Sequence, residues 1–307
     1  MSEVRRRAVV VAAIAAFAAC AIAGPRPLEA QIVAGLSALN QVCRAAIQRQ
    51  DYNEALKVCK RVTFDAEKLA PGSREHIASL VNLGEIKSLV DNYVDADAYY
   101  AKALQVVIQA EGENSEMAAE LLRTLVEVKV TRGKYLDAEV LMKRLLLLRE
   151  KAMGTNDPRV ALIRTRYADL LSQSHQFPQA EATYLQAIEV LAAAGAKSAA
   201  SHGLAVRHLA EMYERRSQFQ RAETQYRRLL DIVERNALGD ELLVTTLDRL
   251  AYICEQQDEW EEAAALYQRE LAILSAKQAR PEVMGKLRDR VAQLESARLQ
   301  SSTAEMR

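Results

Sequence analysis

The sequence predicts an all-α protein built from about six repeated pairs of helices. Two observations carry this prediction: an aromatic residue recurs every 41 or 42 residues, and an alanine follows each aromatic residue by three positions. The aromatic residues are Tyr52, Tyr93, Tyr135, Phe177, Phe219 and Trp260. A near-constant period of this length is typical of arrays in which each repeat is one supersecondary unit.

Two further columns appear when the repeats are aligned on the aromatic residue. The position nine residues earlier is mostly small, and the position seven residues later is mostly large. The first column holds Cys43, Gly84, Val126, Ala168, Ala210 and Ala251, and the second holds Cys59, Tyr100, Met142, Tyr184, Tyr226 and Tyr267. Small residues on one helix that face large ones on the next allow two antiparallel helices to interlock.

The pattern places two helices in each repeat, with the aromatic residue near the start of the second. The predicted pairs are 33–49 and 52–69, 75–91 and 94–110, 115–132 and 135–152, 158–174 and 178–194, 200–216 and 219–235, and 240–257 and 260–277. Residues that end helices separate the pairs at 71–73, 111–114, 154–158 and 236–239. The alanine-rich junction at 192–201 has the least distinct boundary.

An amphipathic segment follows Pro281 and predicts a capping helix at 282–298. Met284, Leu287, Val291 and Leu294 share one face of this segment, and charged residues occupy the other. The end of a repeat array needs a polar outer surface that stops further stacking. We expect residues 299–307, which are polar, to form a flexible tail.

These columns resemble the tetratricopeptide repeat (TPR), in which an aromatic residue, an alanine and a tyrosine mark the second helix. The resemblance covers about residues 36 to 281. The 42-residue period is similar to the long subtype found in kinesin light chains. The resemblance implies a right-handed α-solenoid over residues 33–281 that binds a protein or peptide in its concave groove.

The N-terminus has the layout of a signal peptide. Three arginines at 5–7 precede the apolar run 8–23, and a Gly/Pro-rich segment ends the run. We expect cleavage after residue 23, a linker at 24–32, and export to the periplasm or cell envelope of a bacterium. Two alternatives keep the protein at a membrane: an uncleaved anchor at 1–23, or lipidation of Cys20 in a segment that resembles a bacterial lipobox.

The composition and motifs favour neither nucleic-acid binding nor catalysis. Formal net charge is zero, from 41 basic and 41 acidic residues, which gives no electrostatic basis for binding phosphate backbones. The four histidines lack the spacing of metal ligands, and the sequence has no glycine-rich phosphate loop or nucleophile elbow. We therefore predict no enzymatic activity, no metal and no cofactor.

Two cysteines of the first repeat have two interpretations. Cys43 and Cys59 fall on predicted helix faces that should meet, so they could form a disulfide in an oxidising compartment. Alternatively, they are two small buried hydrophobic residues. The sequence leaves both interpretations open.

The resemblance also implies which residues line the groove, because TPR proteins present positions about eight and ten to twelve before the aromatic residue. These positions hold Asn82, Glu85, Arg123, Glu127, Arg166, Asp169, Arg207, His208, Glu211, Arg249 and Tyr252, with Asp248 beside them.

The arginines of this set have two interpretations. They could offer forked donors to carboxylates of a ligand. They could instead pair on their own helix, as Arg123 with Glu127, Arg207 with Glu211, and Arg166 with Asp169.

The sequence thus predicts a non-enzymatic interaction scaffold whose partner is a protein or peptide. Two alternatives are a membrane-tethered or lipidated element that assembles with itself, and an accessory subunit of a separate enzyme.

Overall fold

A computed structural model describes residues 28–278 and 280–305. The expected signal peptide at 1–23 and the lipidation candidate Cys20 lie outside these residues. Within them, all regular structure is helical, so the predicted all-α repeat fold is confirmed. The helices are α1 (Leu28–Gln48), α2 (Tyr52–Leu69), α3 (Arg74–Leu89), α4 (Tyr93–Glu111), α5 (Glu116–Thr131), α6 (Tyr135–Met153), α7 (Pro158–Gln173), α8 (Phe177–Ala193), α9 (Ala199–Arg215), α10 (Phe219–Arg235), α11 (Asp240–Glu255), α12 (Trp260–Ala276) and α13 (Pro281–Glu305), with a 3₁₀ turn at Gly195–Ser198.

The predicted boundaries are wrong at both ends. Helix α1 already includes residues 28–32, which belong to the expected linker, because Ile32 packs against the cluster of Leu36 and Val62. Helix α13 continues to Glu305 and therefore includes most of the expected tail. An ion pair between Arg298, the last residue of the predicted cap, and Glu261 of α12 has a distance of 3.4 Å.

The chain divides into two compact units at Leu148 and Arg149, within α6. In the N-terminal unit, α1 packs on α2, α3 packs on α4, and α2 and α4 each contact the first helix of the next repeat. In the C-terminal unit, the hairpins are α7 with α8, α9 with α10, and α11 with α12, and α13 packs on α12. We call the first helix of each hairpin the inner helix and the second the outer helix.

The three repeat columns form the core of every hairpin. The alanine that follows the aromatic residue is completely buried in all six repeats, at Ala55, Ala96, Ala138, Ala180, Ala222 and Ala263. The residues of the small and the large column are all buried as well. The columns that identified the repeat in the sequence are therefore its packing surface.

The turn inside each hairpin has one backbone geometry in all six repeats. The residue two positions before the aromatic has a positive φ, at Gln50, Asp91, Gly133, His175, Ser217 and Asp258. The next residue donates its N–H to a carbonyl five positions earlier, as from Gln176 to Leu171 at 2.8 Å. This is a helix C-terminal motif that glycine adopts most easily. Only the third repeat uses glycine, so the repeats share the geometry without sharing the residue.

A disulfide joins Cys43 and Cys59, whose Cα atoms lie 5.6 Å apart. These residues occupy the small and the large column of the first repeat, so a covalent bond stands where other repeats have a packing contact. Closing a loop of this length stabilises the folded state by about 3 kcal/mol. The disulfide thus strengthens the first hairpin, which has a neighbouring repeat on only one side among the described residues.

The closest packing in the second repeat predicts the effect of adding one methyl group. A Cβ at Gly84 would lie 2.8 Å from ring atoms of the buried Tyr100. We expect Gly84→Ala to lower the free energy of unfolding by about 1–3 kcal/mol, although alanine favours a helix by about 1 kcal/mol. Urea denaturation followed by circular dichroism measures this.

Gly35 provides the matched control, because it lies in α1 and a Cβ added there would have no atom within 4 Å. Gly35→Ala should be neutral or stabilising. Adding Tyr100→Met to Gly84→Ala should recover part of the loss, since the third repeat combines Val126 with Met142. Equal stabilities for Gly84→Ala and Gly35→Ala would contradict the packing argument.

Candidate functional site

Asp169 is the centre of a hydrogen-bonded group in the C-terminal unit. It lies on α7 and accepts from the Tyr184 hydroxyl of α8. The Nδ1 of His208, on α9, lies 2.8 and 3.0 Å from the two Asp169 oxygens. One carboxylate therefore connects both helices of the fourth repeat to the inner helix of the fifth.

The same arrangement recurs twice with a glutamate as acceptor. Glu214 on α9 accepts from Tyr226 of α10 at 2.5 Å and from Arg249 of α11 at 3.2 Å. Glu255 on α11 is bonded by Tyr267 of α12. Its other donor is Arg290 of α13, whose Nε lies 2.8 Å away.

Each of these carboxylates bonds to a tyrosine of its own repeat. Each also bonds to a histidine or arginine of the next inner helix or of the capping helix α13. Burial, followed by the charge of the carboxylate or the hydrogen bond to it, raises the pKa of Tyr184, Tyr226 and Tyr267. The three phenols therefore remain protonated and act as donors. Because charged hydrogen bonds are strongest away from water, these groups fix the stacking of successive repeats.

This arrangement decides between the two interpretations of the basic groove residues. His208 and Arg249 are paired across repeats, with carboxylates of the preceding inner helix. The predicted pairing of Arg166 with Asp169 is wrong, because Tyr184 and His208 already occupy the Asp169 oxygens. Arg166 is exposed and has no ion pair within the described part of the chain.

Two predicted pairs on a single helix do form. Arg123 lies 2.8 Å from Glu127 and 2.9 Å from Glu120 on α5. Arg207 lies 3.6 Å from Glu211 on α9, but its Nε is buried and makes no hydrogen bond. Arg207 is therefore partly a packing residue, and replacing it would disturb more than the surface.

Asn82 does not face a groove, which corrects its prediction as a binding residue. It is 1% exposed, and its amide donates to the Oδ1 of Asn40 at 3.4 Å. Asn40 in turn donates to the carbonyl of Glu75 at 2.9 Å. These amides satisfy each other between α1 and α3, whereas Glu85 is exposed on α3.

An open depression of about 250 Å³ lies between α7 and α9. It is lined by Asp169, Gln173, His208, Glu211 and Arg215. Three of these residues are predicted groove residues, so the structure brings Asp169, His208 and Glu211 to one surface. Arg215 is exposed at its edge and has no ion pair among the residues described.

The sixth repeat carries an acidic residue in an unusual place. Glu270 occupies a column that is apolar and buried in every other repeat: Val62, Ala103, Leu145, Ala187 and Leu229. It is itself 7% exposed, and its Oε2 is buried without a hydrogen-bond partner. Burial and the nearby charge of Asp248 raise the pKa of Glu270 to about 7.

Sequence reasoning missed Glu214, Glu255 and Glu270. The alignment of the repeats held a signal for Glu270, since it is the single charged residue in an apolar column. Glu214 and Glu255 stand five residues before the aromatic, where the fourth repeat has Ser172. Their role depends on which side chains meet between repeats, and a column of residues does not show that.

A further cluster combines a thiol with two carboxylates. Ligand atoms of Cys254, Glu259 and Glu262 lie within 4.8 Å of one another, the only such group in the described residues. Burial, with added effects of nearby carboxylates, raises the pKa of Cys254 to about 12. Arg227 lies 2.7 Å from Glu262. The cluster therefore combines a buried thiol with a carboxylate, Glu262, whose charge Arg227 already balances.

The repeat pattern matches known proteins along most of the chain. The sequence model of the tetratricopeptide repeat matches residues 75–146, 118–193 and 202–276. The chain belongs to the tetratricopeptide repeat family. A relative from Arabidopsis thaliana, Protein KINESIN LIGHT CHAIN-RELATED 3, is 23% identical over 269 residues. The match covers 73% of this TPR chain but only 41% of the relative.

Solved TPR structures share the fold at low sequence identity. TPR-like repeats of a putative kinesin light chain from Podosopora anserina align with a TM-score of 0.56 and 16% identity, over 66% of this chain and 97% of that one. BtubC (BKLC) from P. vanneervenii aligns with a TM-score of 0.58 and 17% identity, over 76% and 93% of the two chains. These similarities show the fold alone.

A membrane-spanning helix must be both long and strongly apolar. Among the described residues, none of the helices meets both requirements.

The buried Glu270 predicts how stability depends on pH. Its folded-state pKa of about 7 lies above the ordinary value of 4.5, so between these values the folded state holds the proton more tightly. The free energy of unfolding should fall as pH rises through this window and level off above it. Replacing Glu270 with Gln should therefore stabilise the protein more at pH 8 than at pH 5, by up to about 3 kcal/mol.

Urea denaturation at pH 5 and pH 8 measures this difference. Glu241→Gln is the matched control, because Glu241 is an exposed acid on α11. If the wild-type protein and Glu270→Gln show the same pH dependence, Glu270 does not titrate in this window.

Proposed function

We propose that this TPR protein is a non-enzymatic scaffold that binds a protein or peptide partner on the surface of its inner helices. The observation that carries the proposal is that buried and exposed side chains of the repeats have different roles. The recurring columns of the repeat are used for packing, whereas Arg166, Arg215 and Tyr252 are exposed on the inner helices of the C-terminal unit. Exposed arginine and aromatic side chains are frequent anchors at protein interfaces.

Arg166 is a better candidate for partner contact than the other basic residues of the set. His208 and Arg249 already have carboxylate partners, and breaking a partly buried pair leaves an uncompensated charge. A partner can bind Arg166 without breaking an existing ion pair. A partner carboxylate could bind its guanidinium in a forked geometry.

Site-specific crosslinking tests the binding surface. We expect a photoreactive phenylalanine analogue at position 166 or 252 to capture a discrete partner in native cells. The same analogue at Arg235 is the control, because Arg235 is exposed on the outer helix α10. Equal capture from positions 166, 252 and 235 would indicate that the inner helices have no selective role.

We further propose that the protein acts in the bacterial cell envelope after export. Two observations support this: the layout of residues 1–27 and the disulfide between Cys43 and Cys59. Disulfides persist in secreted and periplasmic proteins and are rare in the cytosol. The two observations are independent, since one concerns targeting and the other the redox conditions of the folded chain.

Intact mass of the protein from fractionated cells tests this location. We expect a species that begins at Gly24, is found in the envelope fraction, and retains the disulfide. A full-length mass would indicate an uncleaved anchor, and added acyl mass on a chain that begins at Cys20 would indicate lipidation. A full-length, fully reduced protein in the cytosol would contradict export.

Self-assembly by end-to-end stacking is less consistent with α13. Arg288 and Glu295 stand where the preceding inner helix has Leu247 and Cys254, and both charged residues are exposed. Stacking another hairpin there would bury two charged side chains. The charged face of α13 therefore favours the scaffold function over end-to-end self-assembly.

A further inference from the structure

The inner helix of the sixth repeat has an acidic residue without a partner. Asp248 lies on α11 and is partly exposed, and the described residues offer its carboxylate no ion pair within 4.0 Å and no hydrogen bond. Arg249, the cation whose charge acts on Asp248, is already paired with Glu214, and Arg290 of the cap is paired with Glu255. Asp248 is thus a partly exposed carboxylate in the middle of this inner helix that remains available to a ligand.

Glu270 adds a second carboxyl group behind Asp248. It lies on α12, close enough for the Asp248 charge to act on it, and its Oε2 is buried with no partner. A buried carboxyl group without a donor is costly when ionised. No cation of the described chain relieves this cost at Glu270.

Tyr252 supplies an aromatic surface next to Asp248. It follows Asp248 by four residues on α11, which places the two side chains on the same face about 6 Å apart. Tyr252 is 36% exposed. A carboxylate and an aromatic ring at this spacing can hold the charged end and the stem of a long cationic side chain together.

We propose that Asp248, Tyr252 and Glu270 form a pocket for a cationic side chain, lysine or arginine, of the bound partner. This inference rests on the proposed scaffold function and assigns one recognition element to it. The cation binds the Asp248 carboxylate, lies against the Tyr252 ring, and lowers the cost of ionising Glu270 behind it. A metal ion fits less well, because neither acid belongs to a group of three metal-ligating side chains among the described residues.

The test uses a small amine and its neutral isostere. Nα-acetyl-lysine methylamide is titrated into the purified chain, with Nα-acetyl-norleucine methylamide as the uncharged comparison. The ring resonances of Tyr252, assigned by their loss in Tyr252→Phe, report binding. We expect a saturable shift with the lysine compound and none at the same concentrations with the norleucine compound.

Variants identify the acids that bind the probe. Asp248→Asn should weaken binding about tenfold or more, because it removes the charge-assisted contact to the cation. Glu270→Gln should weaken binding about tenfold at pH 8, because it removes a second negative charge from a poorly solvated position behind the cation. Glu241→Gln, on the same helix as Asp248 but exposed near its start, should bind as the wild type does. Folding is not at risk in Glu270→Gln, since that change removes a buried charge.

The pH dependence adds a signature that a structural role would not produce. Affinity of the wild type for the lysine compound should rise between pH 6 and pH 8 as Glu270 ionises, and Glu270→Gln should abolish this rise. Equal binding of both compounds, or unchanged binding by Asp248→Asn, would overturn the proposal. Unchanged binding by Glu270→Gln would overturn it as well.

The outcome also separates this inference from the scaffold function. If crosslinks form on the inner helices but the lysine compound does not bind, the scaffold stands and the cation pocket is wrong. If the inner-helix crosslinks fail, the scaffold function is wrong. The titration then still shows whether the pocket binds a cation.

Discussion

The contact between a small residue on the inner helix and a large one on the outer helix is the constraint on which every hairpin depends. Gly84 and Tyr100 show how close this contact is, because no room remains for a Cβ. The first repeat replaces the contact with the disulfide between Cys43 and Cys59. The bond therefore preserves the geometry of the hairpin while changing the force that maintains it, from dispersion to a covalent link.

Stacking of repeats in the C-terminal unit relies on a second interaction of a different kind. Asp169, Glu214 and Glu255 each collect a buried tyrosine hydroxyl and a base from the next inner helix or cap. At Glu214 and Glu255 a neutral tyrosine donor is combined with a charged arginine, so the carboxylate is satisfied without leaving an unpaired charge inside. The basic row is therefore mainly a structural device, and Arg166, which has no such partner among the described residues, is the exception.

The sixth repeat departs from the pattern in a way that stability alone does not explain. An acidic residue occupies a core column at Glu270, and the partly buried Asp248 has a pKa raised by burial and by the charges of Glu214 and Glu255. Departures from local consistency are expected at functional sites, where a cost in stability is offset by binding. The proposed cation pocket gives this cost a function.

The sequence by itself determined the all-α repeat architecture, the positions of the hairpins and the residues of the core. This was possible because the residues of the columns pack against each other within one hairpin. The small and the large residue of a contact lie 16 positions apart, and the same pair recurs in all six repeats. The same periodicity fixed where each outer helix begins. It did not fix the ends of α1 and α13. At α1 the extension packs Ile32 against Leu36 and Val62, a contact outside the repeat columns.

Only the tertiary structure decided what the polar residues do. The sequence placed Asp169 one helical turn from Arg166. In the structure, the Asp169 carboxylate instead bonds to a tyrosine of the outer helix and a histidine of the next repeat. The family resemblance placed Asn82 in a groove, yet Asn82 is 1% exposed and donates a hydrogen bond to Asn40 of the first repeat. The partners of long polar side chains depend on distances between helices and on burial. The period of the sequence specifies neither quantity.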